Sequence, residues 1–570
     1  MFLRASYASR PVHAPTIVAA ALGVFAVLLA VLLPYSGGVH LFDWDELIFA
    51  EAAREMNERG DWLQVYVNYQ PFYEKPPAFF WLQALAFRVL GVGELAARLP
   101  SAVFTAATGA LLFVVGSYAL APGFGLLWAL LFGLGLFPGI YGKLGLIDPT
   151  FNFFVLLALF ALFATDEAKR QERNDPQLPK LTLVPGGYAG IAALALGFAV
   201  LVKGPLALAI TLTVFALYKL LVPRPALKPA GVALFLAATL AVAGSWFALE
   251  SLAHGPAFVV EFVRYQLRIT GTDDGHPGFV GFHTLLFVVG CFPFSVFAVR
   301  GALGRALYRE RRLQILALLL FGVVLGLFEL VVRTKLIHYS SLLYVPGAFF
   351  AARVLWRVWR GNFGLHWGEV VGLAAVALLL AVPLFVLPYF GTHPTELLAL
   401  LNDPIARSYV ALPVPWGLET YLPGALLVGG TLGGLFFSVR GRRPVAVAVL
   451  LATGGLLANA IWVVFVARVD AYVSAPQVQF IARVGSAPLA FYGPLTYLPP
   501  FYARRAVANP HTPEQLQQLL AREPNLWVVT RAAEAPALPN LAVHERAGAY
   551  LLLGPTEKKA RRDQPVAATP

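Results

Sequence analysis

Apolar runs of about 18 residues or more recur along most of this 570-residue chain, each long enough to cross a bilayer as a helix. A bilayer core offers no water to bond a bare backbone, so a chain of such runs is confined to a bundle of spanning helices. Composition agrees. Hydrophobic residues make up 58% of the chain and charged residues 13%, and mean hydropathy is +0.70; a soluble domain carries roughly a quarter charged residues. The run 16–33 reads as a first spanning helix rather than a cleaved signal, because no convincing small-residue cleavage site follows it. The single Cys291 excludes an intramolecular disulfide and a cysteine-cluster metal site.

Charge placement then fixes the topology. The net charge of +12 needs neither nucleic acid nor any other anionic partner, because basic residues collect in cytoplasmic loops. One segment decides the sidedness: 78–90 (AFFWLQALAFRVL) is apolar but short for a span. If it spans, the clusters Lys169/Arg170/Arg173/Lys180, Lys219/Arg224/Lys228, Arg300/Arg305/Arg309/Arg311/Arg312, Arg353/Arg357/Arg360 and Arg440/Arg442/Arg443 all fall outside. If it does not, all fall inside with Arg4 and Arg10, and the positive-inside rule selects this case. Loop 36–96 is then outside, and 78–90 is an interfacial helix with Phe80 and Trp81 at the headgroup level. The expected spans are 15–35, 97–118, 121–138, 148–165, 187–203, 204–222, 229–251, 281–300, 313–332, 337–356, 367–390, 420–439 and 443–466, about 13 helices.

From about Asp470 the pattern shortens. Strand-like segments at 488–492, 526–530 and 549–553 flank a helical stretch, 513–523, with Thr512 as N-cap and Gln515 three residues on. The expected architecture is an all-α polytopic membrane domain over 1–468 and a small extracytoplasmic α/β domain over 469–557. A polar tail, 558–570, is expected to be disordered. No internal repeat, G-x-G-x-x-G or P-loop pattern is present, so no nucleotide cofactor is expected.

With the topology set, the polar residues that interrupt the apolar pattern gather on one face. They are Asp45, Glu46, Glu74 and Lys75 in the first outer loop; Asp148 in LGLIDPTF; Lys203 in LVKGP; Glu250, His254, Arg268 and His276 after 251; and Arg333, Lys335, His338 and Tyr339 in VVRTKLIHYSS. Acids and bases beside hydrocarbon suit a substrate with an anionic headgroup and a lipid tail. A carboxylate such as Asp45 could take a proton from an acceptor hydroxyl. Lys75, Lys203, Arg268 and Lys335 could hold a phosphate, and Glu74 with His254 or His276 could bind a divalent cation. Plainer readings stand beside these. An Asp-Glu pair at a helix start is often only a dipole partner, Asp148 before Pro149 an ordinary cap, and Lys203 a snorkelling helix end. The acids from Glu51 to Glu58 read as a solvated helix face.

The wording of the sequence adds a resemblance. Asp45-Glu46, AEAAREM at 50–56, Gly60-Asp61-Trp62, Tyr73-Glu74-Lys75-Pro76-Pro77, Trp81-Leu82 and Ala97-Arg98-Leu99-Pro100-Ser101 resemble the bacterial lipid-linked-sugar glycosyltransferases. These are the relatives of aminoarabinose transferase and protein O-mannosyltransferase. Asp148, Lys203-Gly204-Pro205, Arg268, His276-Pro277 and the stretch from Lys335 to Tyr339 resemble later landmarks of that family. The resemblance implies a C-type glycosyltransferase fold in a bacterial inner membrane, with the active site on the periplasmic side. It further implies a polyprenyl-phosphate sugar donor, inverting transfer, and an envelope lipid such as lipid A, a glycan or a protein as acceptor. Asp45, with Glu46 and Asp148, would be catalytic. Lys75, Lys203, Arg268, Lys335 and Tyr339 would bind the donor phosphate, and Glu74 and His254 would hold a divalent metal ion. The spacing from Tyr339 to Pro346 departs from the aminoarabinose transferases and leaves the sugar open. A lipid-linked-substrate transporter or flippase, or a protein O-mannosyltransferase, remains an alternative. A cysteine at position 61 in a Cys291→Ala background should be labelled by an impermeant thiol reagent added outside intact cells. Labelling only after permeabilisation would reverse the topology.

Overall fold

The computed structural model describes residues 14–171, 183–271, 278–305, 308–535 and 541–555. The expected tail 558–570 and His276 lie outside the described residues. The chain opens with α1 (Ala14–Leu32), α2 (Asp45–Arg59), a two-stranded ribbon β1 (Tyr66–Val67) and β2 (Gln70–Pro71), α3 (Ala78–Leu90) and α4 (Glu94–Ala119). Then come α5 (Pro122–Gly133), α6 (Leu136–Tyr141), α7 (Asp148–Gln171), α8 (Pro185–Lys203), α9 (Leu206–Leu221), α10 (Pro229–His254) and α11 (Ala257–Gly271). They are followed by α12 (Phe282–Gly290), α13 (Ser295–Leu303), α14 (Tyr308–Gly326), α15 (Tyr344–Trp359) and α16 (Trp367–Thr392). The short α17 (Pro394–Leu400) and α18 (Pro404–Val410) precede α19 (Leu422–Val439), α20 (Arg443–Ile461) and α21 (Ala467–Val484).

Among the described residues, nine helices are long and apolar enough to cross a membrane, ten if α12 and α13, bent by 108°, form one span. The remaining expected spans correspond to α5, α9 and α15, and are shorter than expected. The 16 residues of α15 reach about 24 Å against a hydrocarbon core of roughly 30 Å. The span expected at 337–356 starts as a helix only at Tyr344, because 332–340 is unwound. Unwound backbone at that depth is tolerated where protein covers it or a cavity opens onto it, and this link carries His338 and Tyr339.

Helix α3, at 13 residues and about 20 Å, is short for a span. Leu85 and Val89 form its exposed apolar face, whereas Phe80, expected at the headgroup level, is buried against Phe49 and Phe72. Helix α2, stopped by Gly60 at φ 70°, also differs from expectation. Glu51, Arg54 and Glu55 are buried: Arg54 bonds Glu51 and Glu58, and Glu55 accepts the Tyr69 amide at 2.9 Å. Glu51 and Glu55 therefore form a paired interior seam, while Glu58 stays exposed as expected.

After the spans, a mixed sheet forms from β3 (Leu489–Tyr492), β4 (Trp527–Arg531), β5 (Leu541–Ala547) and β6 (Tyr550–Pro555), in the order β3-β4-β6-β5. Two helices accompany it: α22 (Leu498–Ala503) and α23 (Pro513–Arg522), the latter started by the expected Thr512–Gln515 capping box. The expected boundary at 468/469 falls inside a continuous 42-residue helix, Arg443–Val484. Asp470 is buried with His40 at 3.0 Å, the helix runs on, and the sheet unit begins at Leu489.

One buried ion pair ties the outer end of the bundle together. Arg98 of α4 donates to both oxygens of Glu46, at 2.7 and 2.9 Å, and to the carbonyls of Ser36, Val39 and His40. Glu46 also accepts the amides of Phe42 at 2.9 Å and Gly145 at 2.6 Å. Glu46, expected among the catalytic acids, is thus buried and saturated as a structural hub. Nearby, the buried Lys143 ammonium closes the end of α1 on the carbonyls of Leu32 (2.7 Å) and Pro34 (2.9 Å), and burial pushes it down to about 8. Removing one partner of a buried pair costs roughly 3–5 kcal/mol. Glu46→Gln should therefore lower the thermal midpoint of the purified protein sharply, and an unchanged midpoint would remove the hub role.

Candidate active site

Helix ends and the unwound link deliver the site. Asp45 is the first residue of α2, Asp148 the first of α7 and Lys203 the last of α8. The Lys203 side chain is aimed by a turn at Gly204, φ 75°, where an added Cβ would meet Phe262 at 2.7 Å. Lys203 Nζ donates to Asp148 Oδ1 at 2.6 Å, and lies 5.0 Å from the Tyr339 ring and 5.8 Å from the Phe151 ring. Between the two acids stands His338: its Nε2 is 3.3 Å from Asp45 Oδ2 and 3.8 Å from Asp148 Oδ2. Asp148 is buried, and its Oδ2 has no hydrogen-bond partner among the described residues. Burial pushes the Asp45 carboxyl up, but His338, then Lys75 and Lys203, outweigh it and hold it below the usual carboxylate range.

Lys75 connects this cluster to a neighbouring cavity. Burial pushes its ammonium down, against the pull of Glu74 and Asp45. Its Nζ donates to the Tyr265 hydroxyl at 3.3 Å and lies over that ring at 4.8 Å, while Arg268 covers the same ring at 5.4 Å. Glu74, Glu261, Arg264, Tyr265 and Arg268 line a cavity of about 320 Å³. On α11, positions 261, 264, 265 and 268 form one stripe, as a 3.6-residue repeat requires.

Asp45, Asp148, Lys203 and Tyr339 are therefore gathered in one cluster. Lys75 couples to that cluster and to the cavity wall that carries Arg268. Three other expected residues are placed elsewhere. Glu46 is in the structural hub. Lys335 donates to the carbonyls of Phe328, Glu329 and Val332, closing the end of the preceding helix, because a cation satisfies exposed carbonyls at a helix C-terminus. His254 faces Asp61 at 3.3 Å, whereas Glu74 lies with Arg264 and Arg268. The guanidiniums of Arg264 and Arg268 share that cavity lining with Glu74. Among the described residues no three His, Cys, Asp or Glu side chains form a metal-sized group, and no chemical step is routed through a metal here.

His338, named in the sequence only among the polar residues of its face, and Tyr265, which was not singled out, join the candidate site. His338 sits three residues beyond Lys335, in a segment read as helix. Unwinding aims it at Asp45. Tyr265 stood among residues read as loop, and the helical stripe from Glu261 to Arg268 was the available signal.

A bundle of this topology, with lipid-facing helices and acids and bases gathered at one end beside a cavity, has the build of a C-type membrane glycosyltransferase. No family model matches the chain. The undecaprenyl phosphate-alpha-4-amino-4-deoxy-L-arabinose arabinosyl transferase of Pseudomonas aeruginosa strain PAO1 is 30% identical over 411 residues, 67% of this chain and 71% of that protein. The enzyme of the same description from Pectobacterium atrosepticum is 28% identical over 448 residues, 72% and 75% of the two chains. Among solved structures, ArnT from Cupriavidus metallidurans bound to undecaprenyl phosphate matches with TM-score 0.68 and 22% identity, over 95% of this chain and 97% of that one. The chain belongs to the family of undecaprenyl phosphate-aminoarabinose arabinosyl transferases and is a multi-pass membrane glycosyltransferase.

The two lysines should separate by assay. Lys75→Met should weaken binding of undecaprenyl phosphate to the folded protein by at least about tenfold, while Lys335→Met should lower the thermal midpoint and leave that affinity in place. The opposite pattern would exchange their roles.

Proposed function

We propose that this enzyme transfers a sugar, an aminopentose in its relatives, from a polyprenyl-phosphate donor to an anionic envelope lipid on the extracytoplasmic face. The observation that carries the reading is the convergence of Asp45, His338, Asp148 and Lys203 beside the Lys75–Tyr265–Arg268 cavity, in a chain of this family. The donor phosphate fits against Lys75 and Arg268, which would neutralise the charge it gains on leaving. Arg268 supplies a planar fork and Lys75 a compact charge, matching a phosphate's several oxygens.

In the transfer, an acceptor oxygen forms a bond to the anomeric carbon, and the bond from that carbon to the donor phosphate breaks. The electron pair leaves with the polyprenyl phosphate and the anomeric centre inverts. An acceptor phosphate is already ionised at neutral pH, so no proton has to move. This agrees with the direction of the Asp45 shift: a carboxyl held below its usual range is a poor proton acceptor but a full negative charge at neutral pH. Asp45 then stabilises positive charge developing on the sugar, and His338, braced between Asp45 and Asp148, fixes its orientation. Lys203 holds Asp148 in place through its 2.6 Å hydrogen bond. The extracytoplasmic assignment rests on the basic clusters: Arg300, Arg305, Arg353 and Arg357 lie at the helix ends opposite the Asp45 cluster. A transporter or flippase would give the Asp45–His338–Asp148 arrangement no chemical task.

Asp45→Asn should reduce sugar transfer by roughly 10²-fold or more, with fold and donor binding retained. Transfer at the wild-type rate would end the catalytic assignment.

A further inference from the structure

At the face opposite the active site, four arginines converge on one cavity. It has a volume of about 270 Å³ and is lined by Arg300, Gly301, Gly304, Arg305, Arg353 and Arg357, with Phe363 beside them. The placement follows from the fold. Helix α15 begins at Tyr344, just after His338, and ends at Trp359 about 24 Å away, bringing Arg353 and Arg357 to the far end beside the end of α13. The positive-inside bias assigns that end to the cytoplasm.

Arginines near helix ends are ordinarily solvated counter-charges to the carbonyls there, and part of this cluster does that work. Arg353 is buried; it bonds Glu310 and the carbonyls of Gly301 and Gly304. The others do so only in part: Arg300 reaches the Gly364 carbonyl at 3.5 Å. Arg357 reaches the same Glu310 at 3.5 Å and the Arg305 carbonyl at 3.2 Å. Arg300 pairs with Glu369 at 3.0 Å. Phe363 lies beneath both guanidiniums, 5.2 Å from Arg300 and 5.7 Å from Arg357, and so holds them toward a shared space rather than apart in water. Two carboxylates, Glu310 and Glu369, stand against the four guanidiniums, leaving two positive charges across a recess the size of a headgroup.

We propose that this recess is a second anion site, separate from the transfer site, that binds a phosphate group: the phosphodiester headgroup of an anionic phospholipid in the cytoplasmic leaflet, or a free phosphate. Planar guanidiniums with several donors match phosphate oxygens, and basic pockets between spanning helices on this side suit such headgroups. Because the site lies across the bilayer from Asp45, it would anchor the ends of α13 and α15 without touching the reaction.

The test is native mass spectrometry of the purified full chain offered phosphatidylglycerol or phosphatidylcholine, with thermal unfolding in inorganic phosphate as a second arm. Wild type should retain phosphatidylglycerol in preference to phosphatidylcholine. Arg305→Gln/Arg357→Gln should hold phosphatidylglycerol roughly 30-fold more weakly, and Arg305→Lys/Arg357→Lys should recover part of the loss. Should the double Gln variant fail to fold, Arg305→Gln alone, at an exposed position, gives the same comparison. Stabilisation of wild type, but not of the Gln variant, by inorganic phosphate would assign the site to a free anion. Retention of phosphatidylglycerol by the Gln variant equal to wild type, with no response to phosphate in either, would overturn the proposal.

Discussion

The outer half of this molecule depends on one carboxylate placed where a charge is expensive. Glu46 is buried, and its two oxygens take Arg98 and the amides of Phe42 and Gly145. A lone carboxylate there would carry a desolvation cost that only near-complete pairing offsets. The consequence is geometric. Phe42 leads into Asp45, Arg98 belongs to the first long span after the interfacial helices, and Gly145 stands three residues before Asp148. One side chain therefore sets the start of α2, the outer part of α4 and the start of α7 against each other. The two acids that flank His338 acquire their separation from it. A neighbouring acid pair thus divides its work: Asp45 belongs to the candidate site and Glu46 holds together the segments that carry it.

The same economy of charge recurs. Lys143 and Lys335 each spend their ammonium on the carbonyls of a helix end. Arg353 does so on the far side of the bilayer. Glu51 and Glu55 are buried together with Arg54. In a chain with 13% charged residues, charges that hold helix ends and loops leave few for chemistry. Those that remain near one another, Asp45, Asp148, Lys203, Lys75 and Arg268, make up the candidate site.

Much of this was legible in the sequence because hydrocarbon enforces simple rules. Apolar run length located the long spanning helices. The sequence motifs placed Asp45, Lys75, Asp148, Lys203 and Arg268. What could not be read was the direction in which a polar side chain points. Glu46, Lys335, Glu51 and Glu55 have residue types suited to chemistry or solvent, but Arg98, the carbonyls of a nearby helix end, Arg54 and the Tyr69 amide hold them inward. His338 was hidden by the opposite error: its segment has helical composition, and only the unwinding of 332–340 turns it toward Asp45. The pairing of His254 with Asp61 depends on the packing of α10 against the first outer loop, which no local pattern records. The boundary near 470 followed the shortening of the apolar pattern, whereas the helix runs on to Val484 with Asp470 covered by His40.

The most direct test of the account is mass spectrometry of envelope lipids and of the polyprenyl-phosphate pool from cells with and without this protein, supplied with the lipid-linked aminopentose donor. The account predicts an envelope lipid that gains one sugar only when the protein is present, with a matching fall in the sugar-bearing polyprenyl phosphate. Identical envelope lipids and an undiminished donor pool in both strains would contradict it.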